Sequence, residues 1–310
     1  MPAVARCTPF RIRSTPMRRA GVLIGVILLV MSLGFAGTAA ATNTAPTCSD
    51  VDYSTNSSGW NEVTSVSQLQ CIEDNGLGQN YVLTSDIDAS GTQSWNNNNG
   101  FAPIGGQGSP FTGTVDGNGH TISNLYIDRK NTVGVGLFGF VKRGTIVDLR
   151  MENVDVSGGD ASGGLVGQSK NGATISGASV TGVVDGTEIV GGLVGQHKGG
   201  TIALSFTDVD VTSRSNIAGQ AGGLAGQNWG TVTKSKSSGD VSGTVIIGGL
   251  VGANTNGGTL TESYATGDVF GEIKIVGGLV GENYEQGSTI ADSYATGNVS
   301  GGAEVGGLVG

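Results

Sequence analysis

Charged side chains are scarce in this 310-residue chain: Asp, Glu, Lys and Arg together supply 13%, about half the usual share. Aromatic residues make up 5%, and there are only two histidines and three cysteines. These shortages exclude particular chemistries. With His120 and His197 far apart and cysteine confined to Cys7, Cys48 and Cys71, no spacing suits a zinc site. A Ser-His-Asp triad would have to recruit one of those two histidines, and no Gly-x-Ser-x-Gly elbow stands at a strand-to-helix turn. Glycine runs such as Gly105-Gly106-Gln107-Gly108 have no helix after them, so they are not phosphate cradles. No cofactor is expected.

Glycine, with 57 residues, is in excess. It excludes helical bundles, because each interior glycine costs about 1 kcal/mol relative to alanine. Collagen would need glycine at every third position, and no such period exists. Hydrophobic residues still make up 37%, which argues against disorder. An all-β, turn-rich, repetitive chain remains.

The N-terminus reads as a secretory leader over residues 1–41. Arg6, Arg11, Arg13, Arg18 and Arg19 precede an apolar stretch from Ala20 to about Phe35, followed by Ala39, Ala40 and Ala41. An uncleaved membrane anchor is the competing reading, although the stretch is short for a span of about 20 residues. Arg18-Arg19 leaves the ordinary secretory and twin-arginine routes both open. Cleavage leaves eleven basic against twenty-five acidic residues, a net charge of −14. That argues against nucleic acid and against anionic lipid as partners, so any membrane contact would run through an uncleaved leader. Cys48 and Cys71 remain in the mature chain; in an exported protein they pair most simply as one disulfide, with two free buried thiols as the alternative.

One phrase then recurs. Gly136-Leu137-Phe138-Gly139 is followed by Gly163-Gly164-Leu165-Val166-Gly167 and by close copies around Leu193, Leu224, Leu250, Leu279 and Leu308. The leucines are 28, 28, 31, 26, 29 and 29 residues apart. Between them lie short alternating segments, such as Ile202, Leu204 and Phe206, or Tyr264-Ala265-Thr266-Gly267-Asp268-Val269. A unit of this length cannot bury its own apolar face but can when stacked on its neighbours, so the repeat predicts a parallel β-solenoid of about 28-residue coils. Leucine and the next residue form adjacent apolar columns. On one strand they would face opposite sides, so either the strand is covered on both faces or the rod carries an apolar stripe. Gln168, Gln196 and Gln227, with Asn228, Asn254 and Asn283 one place later, are expected to stack as amide ladders at a turn.

The Gly-Gly-Leu-Val-Gly phrase at this spacing resembles the GLUG motif of exported bacterial and archaeal surface proteins. The segments Tyr81 to Asp88, Gly100 to Gly105 and Phe111 to Ile122 resemble the lead-in coils of the same family. The resemblance implies a right-handed parallel β-helix similar to that of pectate lyases. It implies little about function, since the motif occurs both in adhesin-like proteins and beside peptidase domains. The expected organisation is leader 1–41, N-terminal cap 42–80 with a helical run near Val63 to Ile72, first coils 81–130, and GLUG-type repeats 131–310. The seventh phrase stops at Gly310, which reads as an incomplete coil: a partial product, or an edge completed by self-association with another chain.

The acids carry the remaining chemistry. Asp155, Asp210, Asp240 and Asp268 each precede a valine of one column, so stacking would set them in an outward row. Like charges about 5 Å apart repel, which makes the row a candidate for weak calcium binding. Asp86, Asp88 and Asp116 form a second acidic group, read first as turn caps. Lys236 shares a column with Phe206, Tyr264 and Tyr294. Trp60, Trp95, Trp229 and the run Asn96 to Asn99 could contribute to carbohydrate stacking, but are scattered. The expected function is non-catalytic adhesion, display or spacing at the cell surface or after secretion. Surface glycans or other surface proteins would be its partners. A polysaccharide lyase or hydrolase, or the stalk of a larger surface peptidase, are the alternatives.

Overall fold

The computed structural model describes residues 44–310, so the expected leader lies outside the described residues. Among the described residues, the repeats contribute to three sheets of 13, 12 and 6 strands. The coils of Leu165 and Leu193 give one strand to each sheet, and those of Leu224, Leu250 and Leu279 give two short segments to each of the first two. In the coil marked by Leu165 the strands are Val166–Ser176 in the first sheet, Ser179–Gly186 in the second and Ile189–Gly191 in the third. Equivalent strands of successive coils pair in parallel, in the register of the repeat: Val166 with Val194, Ser179 with Phe206, Val190 with Ala221. The molecule is a β-solenoid. Its interior is a continuous stack in which Ile146, Ile175, Ile202, Val232 and Leu260 are fully buried.

Both adjacent columns of the repeat phrase enter that one core. Leu165 and Val166, Leu193 and Val194, and Leu250 and Val251 are all fully buried within it. The expectation that they must face opposite sides fails because the leucine is not on a strand. The third-sheet strand ends at the first glycine of the phrase, the first-sheet strand starts at the valine, and Gly164–Leu165 form the bend between them. Alternation does not carry across a bend. Outside the bend the third sheet lies directly on the backbone of the first. A Cβ on Gly195 would sit 2.6 Å from the Ala161 carbonyl carbon and the Ser162 nitrogen, and one on Gly226 would sit 2.7 Å from the Val190 nitrogen. Close backbone approach is what keeps glycine two places after each marker leucine.

The corner between the first and second sheets uses one left-handed residue per coil: Asp148, Leu204, Lys234, Glu262 and Asp292 have φ between 48° and 52°, and Gly177 has 64°. Ile202, Leu204 and Phe206 therefore do not form one alternating strand, since Leu204 projects into solvent at this corner. The next residue closes the corner. The backbone N–H groups of Ser205, Ser235 and Ser263 donate to the serine hydroxyl one coil on, at 3.2, 3.1 and 3.1 Å.

At the N-terminal end, helices Val66–Gln70 and Ile72–Gly76 place Leu69 and Ile72 in the core. Strand Asn61–Val63 pairs in parallel with Tyr81 to Leu83, so the first sheet already begins within the segment 42–80. Cys48 and Cys71 are joined in a disulfide. Among the described residues, no helix is long and apolar enough to cross a membrane.

Candidate functional site

The second sheet carries the open face. Along Phe206–Ser213, Thr207, Val209, Val211 and Ser213 turn inward while Asp208, Asp210 and Thr212 are exposed. Stacking turns each outward position into a column. Phe206, Lys236, Tyr264 and Tyr294 form one, in register. The Lys236 ammonium stands 4.5 Å over the Phe206 ring, and the Tyr264 and Tyr294 rings stack at 4.9 Å, 3° from parallel. A long stem against an aromatic face, with its charge in solvent, is how a half-exposed lysine packs.

The acidic row differs from its expectation. Asp155 and Asp210 are not neighbours, because Val183 pairs with both and separates them by a coil. The sequence already holds that valine in the same place, one residue before Val184. Asp210, Asp240 and Asp268 do stand on successive coils, and their carboxylates already have partners. Asp210 accepts the backbone N–H of Asp240 at 3.2 Å, Asp240 that of Asp268 at 2.9 Å, and Asp268 that of Asn298 at 2.8 Å. The Asn298 backbone N–H and side-chain amide hold the Asp268 carboxyl below the usual carboxylate range. The row thus caps backbone donors within the second sheet, where its strands break between Lys236–Ser237 and Val241–Gly243 and between Tyr264–Ala265 and Val269–Gly271. Among the described residues, no group of three or more His, Cys, Asp or Glu side chains is placed to hold a metal ion.

Asp86, Asp88 and Asp116 cap turns likewise. Asp86 accepts from the Thr121 N–H at 3.0 Å and lies 3.2 Å from His120 Nδ1; the Thr121 bond, then His120, keeps its carboxyl below the usual range. Asp88 accepts from Asn124 and Ser90, and Asp116 from the Asn118 N–H at 2.7 Å. Where the corner residues pass from the first to the second sheet, Asp116, Asp148, Arg150, Ser179 and Phe206 line an open groove of about 490 Å³. The groove brings two carboxylates and a guanidinium into one concavity.

The amide ladders run along strands of the first sheet rather than at a turn. Gln168 donates to Gln196 at 2.7 Å and Gln196 to Gln227 at 2.5 Å. In the inner column Asn228 donates to Asn254 at 2.8 Å and Asn254 to Asn283 at 2.7 Å. His197 occupies this inner column, fully buried, its Nδ1 2.7 Å from the Ser169 hydroxyl. Burial pushes its pKa down to about 4, with the Gly200 backbone acting in the opposite direction. A Ser-His pair sealed in the core cannot meet a substrate. Trp95 is also buried, stacked 6.5 Å from Phe101, so it offers no sugar platform. Asn96, Asn97 and Asn98 take left-handed turn conformations, as asparagine readily does.

Two columns were not foreseen: the buried serines of the corner, and Lys142, Lys170 and Lys198 on the first sheet. The lysines each lie five residues after a marker leucine, so their spacing was readable.

The GLUG motif matches residues 217–242, 243–269 and 275–300. The chain therefore carries GLUG motif repeats. Halomucin of Haloquadratum walsbyi is 43% identical over 116 residues, covering 35% of this chain and 1% of that protein. Among solved structures, an IgA1 protease matches with a TM-score of 0.61 at 23% identity, over 80% of this chain and 20% of the other. A Bacteroides ovatus protein described as a candidate immunoglobulin A1 protease matches with a TM-score of 0.60 at 19% identity, over 82% and 86%. At these identities the two structures share the fold. The chain spans a hundredth of Halomucin and a fifth of the IgA1 protease.

Proposed function

We propose that this chain is a secreted or cell-surface β-solenoid that spaces, displays or adheres, and that it performs no catalysis of its own. The observation that carries this reading is the use of the acids. Asp210, Asp240 and Asp268, on three successive coils of the open face, are engaged in capping backbone N–H groups. Glycosidic chemistry needs paired or clustered carboxylates facing a substrate. The leader-like residues 1–41 and the similarity to Halomucin support a location outside the cell, with glycans or other surface proteins as partners.

The groove lined by Asp116, Asp148 and Arg150 favours a second reading, a polysaccharide-active enzyme. The two separate by experiment. Incubation of the purified protein with acidic polysaccharides, with and without calcium, is expected to produce no new unsaturated or reducing ends. Product formation that disappears in Asp116→Asn or Asp148→Asn would establish the enzyme instead. Fractionation of the producing cells is expected to place the protein in the medium or envelope; recovery from the cytoplasm would refute the surface role.

A further inference from the structure

Lys142, Lys170 and Lys198 are direct cross-strand partners on three successive coils, so they stand one coil spacing, about 4.8 Å, apart. Two are held in place. The Lys170 ammonium lies 6.0 Å from the Phe140 ring centre, and that of Lys198 5.1 Å from the ring centre of Trp229, its successor in the column. Among the described residues, none of the three makes a salt bridge. Like charges stacked this closely repel one another, so a cation column in an otherwise acidic chain calls for an anionic partner.

The matching pattern is on the same molecule. Asp210, Asp240 and Asp268 form a column on three successive coils of the second sheet, exposed and without a salt bridge among the described residues. Their bonds from the N–H groups above fix the carboxylates in an evenly spaced row. Capping explains why an acceptor stands there; a carboxylate accepts more strongly than an amide, but a neutral asparagine oxygen would fill the same role. Three exposed charges in one row go beyond what capping requires. Both columns are ruled by one coil repeat, so laid side by side they match in spacing at every step.

We propose that the lysine column of one copy docks on the aspartate column of a second copy, joining the solenoids laterally. The contact is heterologous: one copy keeps its aspartate column free and the other its lysine column, so association can propagate. Exposed pairs are individually weak. Association is expected at high protein concentration and low salt, fading as the Debye length shrinks to about 3 Å at 1 M. An acidic polysaccharide would satisfy the lysines but leave the aspartate column unexplained, and it would meet repulsion from the surrounding acids. This inference stands apart from the surface role, since self-association can be present or absent in either location.

Sedimentation velocity over a range of concentrations tests it, using wild type, Lys142→Gln/Lys170→Gln/Lys198→Gln, and Asp210→Asn/Asp240→Asn/Asp268→Asn. Asparagine keeps an acceptor for the backbone N–H and removes the charge; at Asp268 it also replaces one of the two oxygens that the Asn298 amide bonds. Wild type should associate in low salt, and each triple variant, like 1 M salt, should weaken this at least tenfold with the circular dichroism spectrum unchanged. Carbodiimide condenses a touching ammonium and carboxylate into an amide with loss of one water. Mixed isotope-labelled and unlabelled copies should give intermolecular links from the lysine column to the aspartate column. These links and the lysine variant decide the matter even if the aspartate variant does not fold. Wild type that stays monomeric in low salt overturns the proposal. So does association weakened by the lysine changes but not by the aspartate changes, or links that run elsewhere. Binding of alginate by the lysine column without self-association would assign that column to a polysaccharide.

Discussion

Acidification from pH 6.5 to 4 is expected to loosen this solenoid through one side chain, His197. It occupies an interior column whose later members are Asn228, Asn254 and Asn283, and it touches Ser169 rather than any carboxylate. Burial holds its pKa near 4 in the fold, against an ordinary value of 6.5 in the unfolded chain. Between these values the unfolded state binds the extra proton, so stability falls as pH falls. The loss begins near pH 6.5 and levels off below about pH 4. At about 1.4 kcal/mol per pH unit, the gap amounts to about 3 kcal/mol. Urea unfolding followed by circular dichroism at pH 7.5, 6, 5 and 4 would measure it. His197→Asn is the matched control: it restores the residue of the neighbouring coils, and carboxylate titrations cancel in the difference. The wild type should lose about 3 kcal/mol more than the variant over this range. Parallel curves would refute the sealed neutral imidazole.

Three further outcomes follow from the packing. Gly195→Ala should lower stability by about 1–3 kcal/mol, because its methyl would press on the Ala161 and Ser162 backbone; an unchanged melting temperature counts against the glycine-lined contact. Leu204→Gly should raise stability by about 0.5–1 kcal/mol: the left-handed conformation costs a leucine about 1–2 kcal/mol, and glycine's larger chain entropy returns part of that. A fall in the melting temperature would contradict this account. Reduction of Cys48–Cys71, which are 23 residues apart, should cost about 3 kcal/mol in the N-terminal coils, and a melt unaffected by reductant would exclude that contribution.

Much of the site was readable as spacing and misread as facing. The lysine column lay at a constant five residues from its leucines. The interruption of the acidic row by Val183 was visible too, because that residue precedes the column valine of its own repeat. The burial of His197 was not readable. Nothing local distinguishes a polar residue stacked inside a coil from one at an exposed turn, since that depends on which way its strand is rotated.

The amino-acid sequence by itself determined the stacked all-β architecture, the length of the coil and the identity of each column, because like residues at a fixed period can bury one another only by stacking. Tertiary structure alone decided the direction of those columns. Leucine and valine share one core because the chain bends between them, and three aspartates became caps because breaks in the second sheet left backbone donors above them. Three lysines became an unsatisfied row because, among the described residues, no carboxylate comes within ion-pair distance of them. Periodicity is a property of the chain, whereas inside and outside are set by where the chain turns.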